Sequence, residues 1–252
     1  MNFDREPAGS LTVRARELWE CLAGTPAGFG AAIRVAVAPE SRLCSVGWAG
    51  IVVIGSAVLA TAPDQETAGL IEHALGGQDA GALTSADVLT RRLPIAKIRG
   101  PATLAYLDRA DFRPQPAETT PLDLNHPRLR AFLQATGASD PAGLEESGIG
   151  EITTPAFAVL QDGQVVAAAG YRDWPCGAAH LSVLTAAPAR GRGLARRAAS
   201  AAVGYAIAAG RLPQWRAQPE ASRRVARTLG FRELGAQVSI RLAPADPALP
   251  PT

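Results

Sequence analysis

The sequence predicts an α/β fold built as two successive units, and three observations carry that expectation. Apolar, β-branched runs alternate with stretches of helical periodicity along most of the 252 residues. A strand, a glycine turn and an alanine-rich helix follow one another over residues 183–204. Two more strand-like runs, 156–160 and 165–171, flank an Asp162-Gly163 turn and read as a hairpin. The expected boundaries are 1–100 for a smaller N-terminal α/β unit, 101–242 for a mixed β-sheet flanked by helices, and 243–252 for a proline-rich disordered tail.

In order, residues 11–22 carry apolar side chains at 11, 13, 15, 18, 19 and 22, close to helical spacing, and Gly24-Thr25-Pro26 stops them. Residues 33–38 alternate as a strand does. Two β-branched runs between 50 and 62 meet at Gly55-Ser56, as in a hairpin. Pro63-Asp64 opens a helix to Leu75, and Ser85 is an N-cap candidate for a second one to Leu93. Residues 113–121, with three prolines, are the best linker by composition. A helix over 127–136, a short acidic helix and loop over 144–151, and the hairpin lead into the central strand at 179–184. After the long helix come a strand at 212–217, a helix ending at Leu229-Gly230, and closing strands over 231–242.

The chemistry sits where the central strand ends. His180 and Ser182 stand between apolar neighbours, and Pro188 stops the strand because it has no N–H for a ladder. Gly191 and Gly193 let the backbone turn tightly just before an alanine-rich helix begins. The first N–H groups of a helix lack internal partners and its dipole is positive there, so this turn is a cradle for an anion such as phosphate. The dipole contributes about 0.3–1 kcal/mol and each charge-assisted hydrogen bond roughly 1.5–3 kcal/mol, enough to orient a pyrophosphate. The alternative is a solvated helix start that happens to carry Arg190, Arg192, Arg196 and Arg197. A P-loop is excluded because Leu194-Ala195 stands where Lys-Ser/Thr should be, and a dinucleotide fingerprint lacks its last glycine.

Residues 190–195 read R-x-x-G-x-A directly after a strand, and 221–231 end in L-G-F. The pair, in this order and at this separation, resembles the acetyl-CoA motif Q/R-x-x-G-x-G/A and the late helix of the GNAT superfamily of N-acetyltransferases. The resemblance covers about residues 104–242. It implies a GNAT-like sheet that splays open beside the central strand, with acetyl-CoA as co-substrate in the gap. Val183, Leu184 and Thr185 would pair through their backbones with the pantetheine arm. The turn of Arg190, Gly191, Arg192, Gly193, Leu194, Ala195 and Arg196 would hold the pyrophosphate. Ser222 would touch the cofactor and Arg223 and Arg224 its 3′-phosphate, the alternatives being a residue that only sits in the first helical turn for Ser222 and a solvated helix face for the arginines. The N-terminal unit carries no motif; a substrate-shaping cap and a degenerate copy of the same fold both remain open for it.

The implied reaction is attack of a small-molecule or peptide amine on a thioester. An alkyl ammonium of pKa about 10.4 must first lose a proton, at roughly 4–5 kcal/mol near neutrality, to a carboxylate or imidazole. The base candidates are His180, on the central strand, and Glu146 and Glu151, in the loop that overhangs the acceptor pocket in relatives; a satisfied strand histidine and solvated acids are the alternatives. Trp174 and Tyr171 are candidates to line that pocket. The chain departs from the family at three positions: Ala226 replaces the tyrosine that protonates the thiolate, Pro219 falls on a frequent asparagine with Gln218 beside it, and Gln214 falls on a glutamate. Those losses keep a second expectation alive, an acyl-CoA-binding sensor without catalysis.

Composition narrows the partners. A net charge of +2 is too small to argue for nucleic acid. Cys21, Cys44 and Cys176 lie far apart with no C-x-x-C, so no metal is expected. The longest apolar run, residues 49–62, is interrupted and too short to span a bilayer, and the first ten residues lack a signal-peptide core. The expectation is a cytoplasmic protein with no membrane partner, for which a homodimer stays open.

Overall fold

The computed structural model describes residues 10–116 and 118–244, and within them the chain divides into two units, one running to Thr103 and resuming at Leu234, the other spanning Leu104–Glu233. Of the expected tail, residues 245–252 lie outside the described residues.

In the first unit, α1 (Leu11–Ala23) starts where the Ser10 hydroxyl accepts from the Val13 N–H (3.2 Å) and stops at Gly24, whose φ of 64° only glycine adopts readily. Strands β2 (Ala49–Ile54) and β3 (Ala57–Ala62) form the expected hairpin across Gly55, with Ile54 opposite Ala57. Strand β1 (Val35–Val37) adds parallel to β3. Helix α2 (Gln65–Leu75) is capped by Asp64, which accepts from the Thr67 N–H at 2.8 Å, and α3 (Ala86–Arg92) follows. Strand β4 (Ile95–Tyr106) begins in this unit and β10 (Arg232–Leu242) ends in it.

That last assignment changes the expected boundaries. Residues 234–242 were assigned by chain order to the second unit, yet Gly235–Ile240 pair antiparallel with Ala49–Ile54 of β2. Strand pairing over so long a sequence separation leaves no local signature. Residues 113–121 are likewise no inter-unit linker: the Arg113 N–H donates to Leu229 O (3.0 Å) and the Gln115 N–H to Ser200 Oγ (2.8 Å). Their prolines shape a loop inside the second unit, and the segment runs into a strand at Thr120.

The second unit is a mixed sheet in the order β9-β8-β7-β6-β5, with the end of β4 beside β9. Its parts are β5 (Thr120–Leu122), α4 (Pro127–Ser139), α5 (Pro141–Ser147), β6 (Ala156–Gln161), β7 (Gln164–Trp174), β8 (Ala178–Thr185), α6 (Leu194–Ala208), β9 (Leu212–Ala217) and α7 (Glu220–Thr228). Asp162 (φ 49°) and Gly163 (φ 75°) make the tight β6–β7 turn that the D-G pair predicts. The β5–β6, β6–β7 and β7–β8 pairings are antiparallel and the β8–β9 pairing is parallel. Helix α6 buries Leu194, Ala198, Ala199, Ala202, Val203 and Ala206 in one core with Trp215, Leu229 and Phe231. The alanines keep that face thin, so the helix sits close on the sheet. The chain leaves α7 through Gly230, at φ 99°, where a Cβ would stand 2.0 Å from Asp111 O. We expect Gly230→Ala to cost roughly 1–3 kcal/mol through strain at this position, read as a lower urea midpoint. Gly191→Ala, also at positive φ but with nothing within 4 Å of the new carbon, should cost less; equal midpoints would contradict this account.

Candidate functional site

Strand β8 is paired with β7 along its whole length, from Ala178 opposite Trp174 to Thr185 opposite Ala167. On its other side β9 pairs only at Ala178–Leu212, Ala179–Pro213 and His180–Gln214. Beyond His180 the two strands part. The Ala186 N–H donates to Val166 O (3.0 Å), and antiparallel bonding alternates along a strand. The main-chain groups of Ser182 and Leu184 therefore turn to β7, and those of Val183 and Thr185 turn to the open side.

A cavity of about 610 Å³ fills the gap between Leu181–Thr185 and Trp215–Ala217. Helix α5 and the first turn of α7 close it. The Trp215 indole N–H donates to Ser222 Oγ at 3.0 Å, which holds the tryptophan, itself buried, against α7. Ser222 thus lies on the cavity wall with its hydroxyl already accepting a bond.

At one end of the cavity stands Arg190. It bonds Asp140 Oδ2 (2.6 Å) and Thr185 O (3.3 Å), linking the start of α5 to the end of β8. The guanidinium of Arg190, and then the Gly143 N–H, hold the Asp140 carboxyl below the usual carboxylate range. Gly191 and Gly193 follow at φ 77° and 74°, and α6 begins with no side-chain cap. Gly191 has no atom within 4 Å of where a Cβ would stand, and Gly193 has only an Arg196 nitrogen at 3.8 Å. The turn is therefore open on its outer side. Arg192 donates to Gln161 Oε1 (3.1 Å) and Leu194 is buried in the core, so both contribute backbone rather than side chain to the turn. Ala195 and Arg196 are half-buried, and Arg196 Nε and Thr185 Oγ1 are buried polar atoms with no protein partner among the described residues. The cavity lining reaches Arg190 and does not include 191–196.

The other end carries the acid–base candidates. His180 stacks on Trp174 with ring centroids 4.3 Å apart and bonds Gln214 Oε1 through Nδ1. Burial pushes its imidazole down to about 3; the Arg216 and Arg172 guanidiniums push the same way and the Gln214 bond opposes them. Arg216 lies 6.0 Å from the Trp174 ring centre. Glu151 accepts from Arg172 at 2.6 Å, so that carboxylate is held at the rim. Glu146, on α5, is exposed and makes no hydrogen bond or ion pair among the described residues. The cavity brings His180, Glu146 and Glu151 together with Val183, Leu184, Thr185, Arg190 and Ser222. Tyr171 is the exception among the expected acceptor-pocket aromatics. It is buried in the core cluster, 6.1 Å from Tyr205, because alternation along β7 turns it to the helix face. Arg223 bonds Glu233 (2.6 Å) instead of standing free for a phosphate.

Sequence reasoning passed over Gln214, Arg216 and Arg172 as site residues. A signal existed: Gln214 and Arg216 are polar positions two apart in the otherwise apolar run L-P-Q-W-R-A, so they share one face. The pH dependence follows from His180. Its folded pKa lies below the unfolded value of about 6.5, so the unfolded chain takes up the proton first on acidification. Stability from the neutral ring is complete above that value and is lost as pH falls toward about 3. Wild-type stability should decline already between pH ~6.5 and ~5, above the carboxylate range, and His180→Asn should remove that slope in urea titrations. An identical slope in the variant would contradict the assignment.

None of the curated proteins compared matches the chain. A family model described as GNAT acetyltransferase matches residues 144–236. Among solved structures, a GNAT-family acetyltransferase from Colwellia psychrerythraea is similar at 15% identity and a TM-score of 0.46, covering 60% of this chain and 59% of that one. A putative GNAT acetyltransferase from Novosphingobium aromaticivorans is similar at 23% identity and a TM-score of 0.45, covering 58% and 65%. A GCN5-related N-acetyltransferase from Kribbella flavida is similar at 20% identity and a TM-score of 0.44, covering 64% of each. The chain thus spans less than two thirds of the length of these structures. It is the C-terminal part, residues 144–236, with the split strand pair and the glycine turn inside it, that is matched as a GNAT acetyltransferase domain.

Proposed function

We propose that the protein is an acetyl-CoA-dependent N-acetyltransferase that moves an acetyl group directly to an amine of a small molecule or peptide. The observation that carries this reading is the open main-chain edge of Val183 and Thr185, lining a cavity that reaches Arg190, with the open glycine turn and a helix start without a side-chain cap next in the chain. An exposed strand edge pairs with an amide-bearing chain, and free N–H groups at a helix N-terminus take a phosphate. Together the two features fit a ligand that has an amide arm joined to a diphosphate. Thr185 Oγ1, at the cavity wall, and Arg196 Nε, in the turn, are buried polar atoms without a protein partner among the described residues.

Acetyl-CoA, when bound, supplies the thioester acyl group and carries off the thiolate. The chain's own residues orient it and handle the amine. Val183 and Thr185 would align the arm, and the N–H groups of 191–196 would hold the diphosphate. His180 is a poor sink for the ammonium proton. Passing a proton from a group of pKa about 10.4 to one near 3 is uphill by about 10 kcal/mol, more than the roughly 4–5 kcal/mol of releasing it to neutral water. The proton therefore leaves through water to the bulk, on a route along which Glu146, an exposed acid lining the cavity, would relay it, while Glu151 holds Arg172. His180 accepts a hydrogen bond from the neutral amine.

Thermal shift tests the binding half and thiol release across an amine panel tests the chemistry. Acetyl-CoA should raise the melting temperature of wild type and not of Gly193→Glu. With the best amine, Glu146→Gln should lower kcat by about 10²-fold. No stabilisation by acetyl-CoA would end the reading.

A further inference from the structure

Gln214 is fully buried in a strand whose neighbours are apolar, and it does not line the cavity. Among the described residues its side-chain hydrogen-bond partner is His180, which does line the cavity. The pairing occurs at the last rung that joins β8 to β9. The side-chain oxygen of Gln214 only accepts, so a bond to it from Nδ1 requires that the neutral imidazole carry its proton there. Nδ1 is thereby engaged from behind the wall. Nε2, across the ring, is the nitrogen left with a lone pair, and it has no partner among the described residues. Trp174, stacked on the ring at 15°, fixes its plane.

From this arrangement we infer that Gln214 is a positioning residue: it locks His180 in the Nδ1–H tautomer, so that Nε2 presents a fixed, uncharged acceptor to the amine. The inference rests on the transferase reading above for the identity of the ligand, though not for the state of the ring. A neutral acceptor suits a nucleophile that must arrive deprotonated. An imidazolium would offer only donors and would repel an ammonium.

The charged groups around the ring explain why an amide serves here. Arg216 on β9 and Arg172 on β7 both disfavour the imidazolium. Glu151 accepts from Arg172 and faces that guanidinium, and Glu145 and Glu146 on α5 line the same cavity. A carboxylate at 214 would add a buried charge beside the ring and favour its protonation. Gln214 keeps the acceptor and omits the charge. Its Nε2, buried without a protein partner, is the cost of that choice.

The test reads the ring directly by ¹⁵N-histidine NMR in the free, full-length protein, then by kinetics. Wild-type His180 should show the Nδ1–H pattern and no titration between pH 5 and 8. Gln214→Leu should lose that pattern. Gln214→Glu should keep it and raise the imidazole pKa by about one unit or more. With the amine selected by the panel, Gln214→Leu should lower kcat about tenfold or more, leave the KM for acetyl-CoA unchanged, and be partly rescued by Gln214→Glu with a shifted pH profile. An Nε2–H tautomer in the wild type, or a pattern unaffected by Gln214→Leu, overturns the inference even if thiol release persists. If the ring behaves as expected while no amine releases thiol, the lock stands and the transferase reading fails.

Discussion

A strand with neighbours on both sides has no main chain left for a ligand, and β8 escapes that condition over half its length. Its bonds to β9 end at His180. The cavity, the exposed edge of Val183 and Thr185, and the position of the acid–base groups all derive from this one interruption. The last rung is also the place where the His180–Gln214 pair sits, so His180 faces the start of the gap while Gln214 holds it from behind the wall. Trp215 keeps the gap open on the β9 side by bonding Ser222 on α7 rather than leaning across toward β8.

Several ion pairs in the second unit help hold this geometry. Arg190 is tied to Asp140, Arg172 to Glu151, and Arg223 and Arg227 to Glu220 and Glu233. Exposed pairs of this kind contribute only about 0–1 kcal/mol each to stability. Their larger effect is to fix where loops stand, above all Asp140–Arg190, which joins two sides of the cavity. At the glycine turn an anion would meet main-chain N–H groups and the helix dipole, with Arg196 and Arg197 beside them outside any ion pair among the described residues.

The parts of the fold legible in the sequence were those set by local physics. The Gly55-Ser56 and Asp162-Gly163 turns, the helix start at Pro63-Asp64, and the span of β9 needed only neighbouring residues to specify them, whereas Ser85, also expected as a cap, makes no side-chain cap bond. The glycine turn before α6 was legible for the same reason: positive φ at Gly191 and Gly193 has a one-residue signature. Long-range pairing was not legible. Nothing near residue 235 indicates that it will stand opposite Ile54, and prolines at 114–121 look alike in a linker and in a packed loop. The inward face of β7, which buries Tyr171 and turns Arg172 to the cavity, required knowing which side α6 would cover. His180 was visible as a polar strand residue, but its neutral state depends first on burial and then on Arg216 and Arg172, all of which only the assembled sheet supplies.

Amide hydrogen exchange at single-residue resolution tests the interrupted ladder most directly. In the free protein the Val183 and Thr185 amides should exchange quickly while those of Ser182 and Leu184, bonded to β7, exchange slowly. Added acetyl-CoA should slow Val183 and Thr185 and leave the other two as they were. Slow exchange at Val183 and Thr185 in the free protein, or no change on addition, would contradict the account.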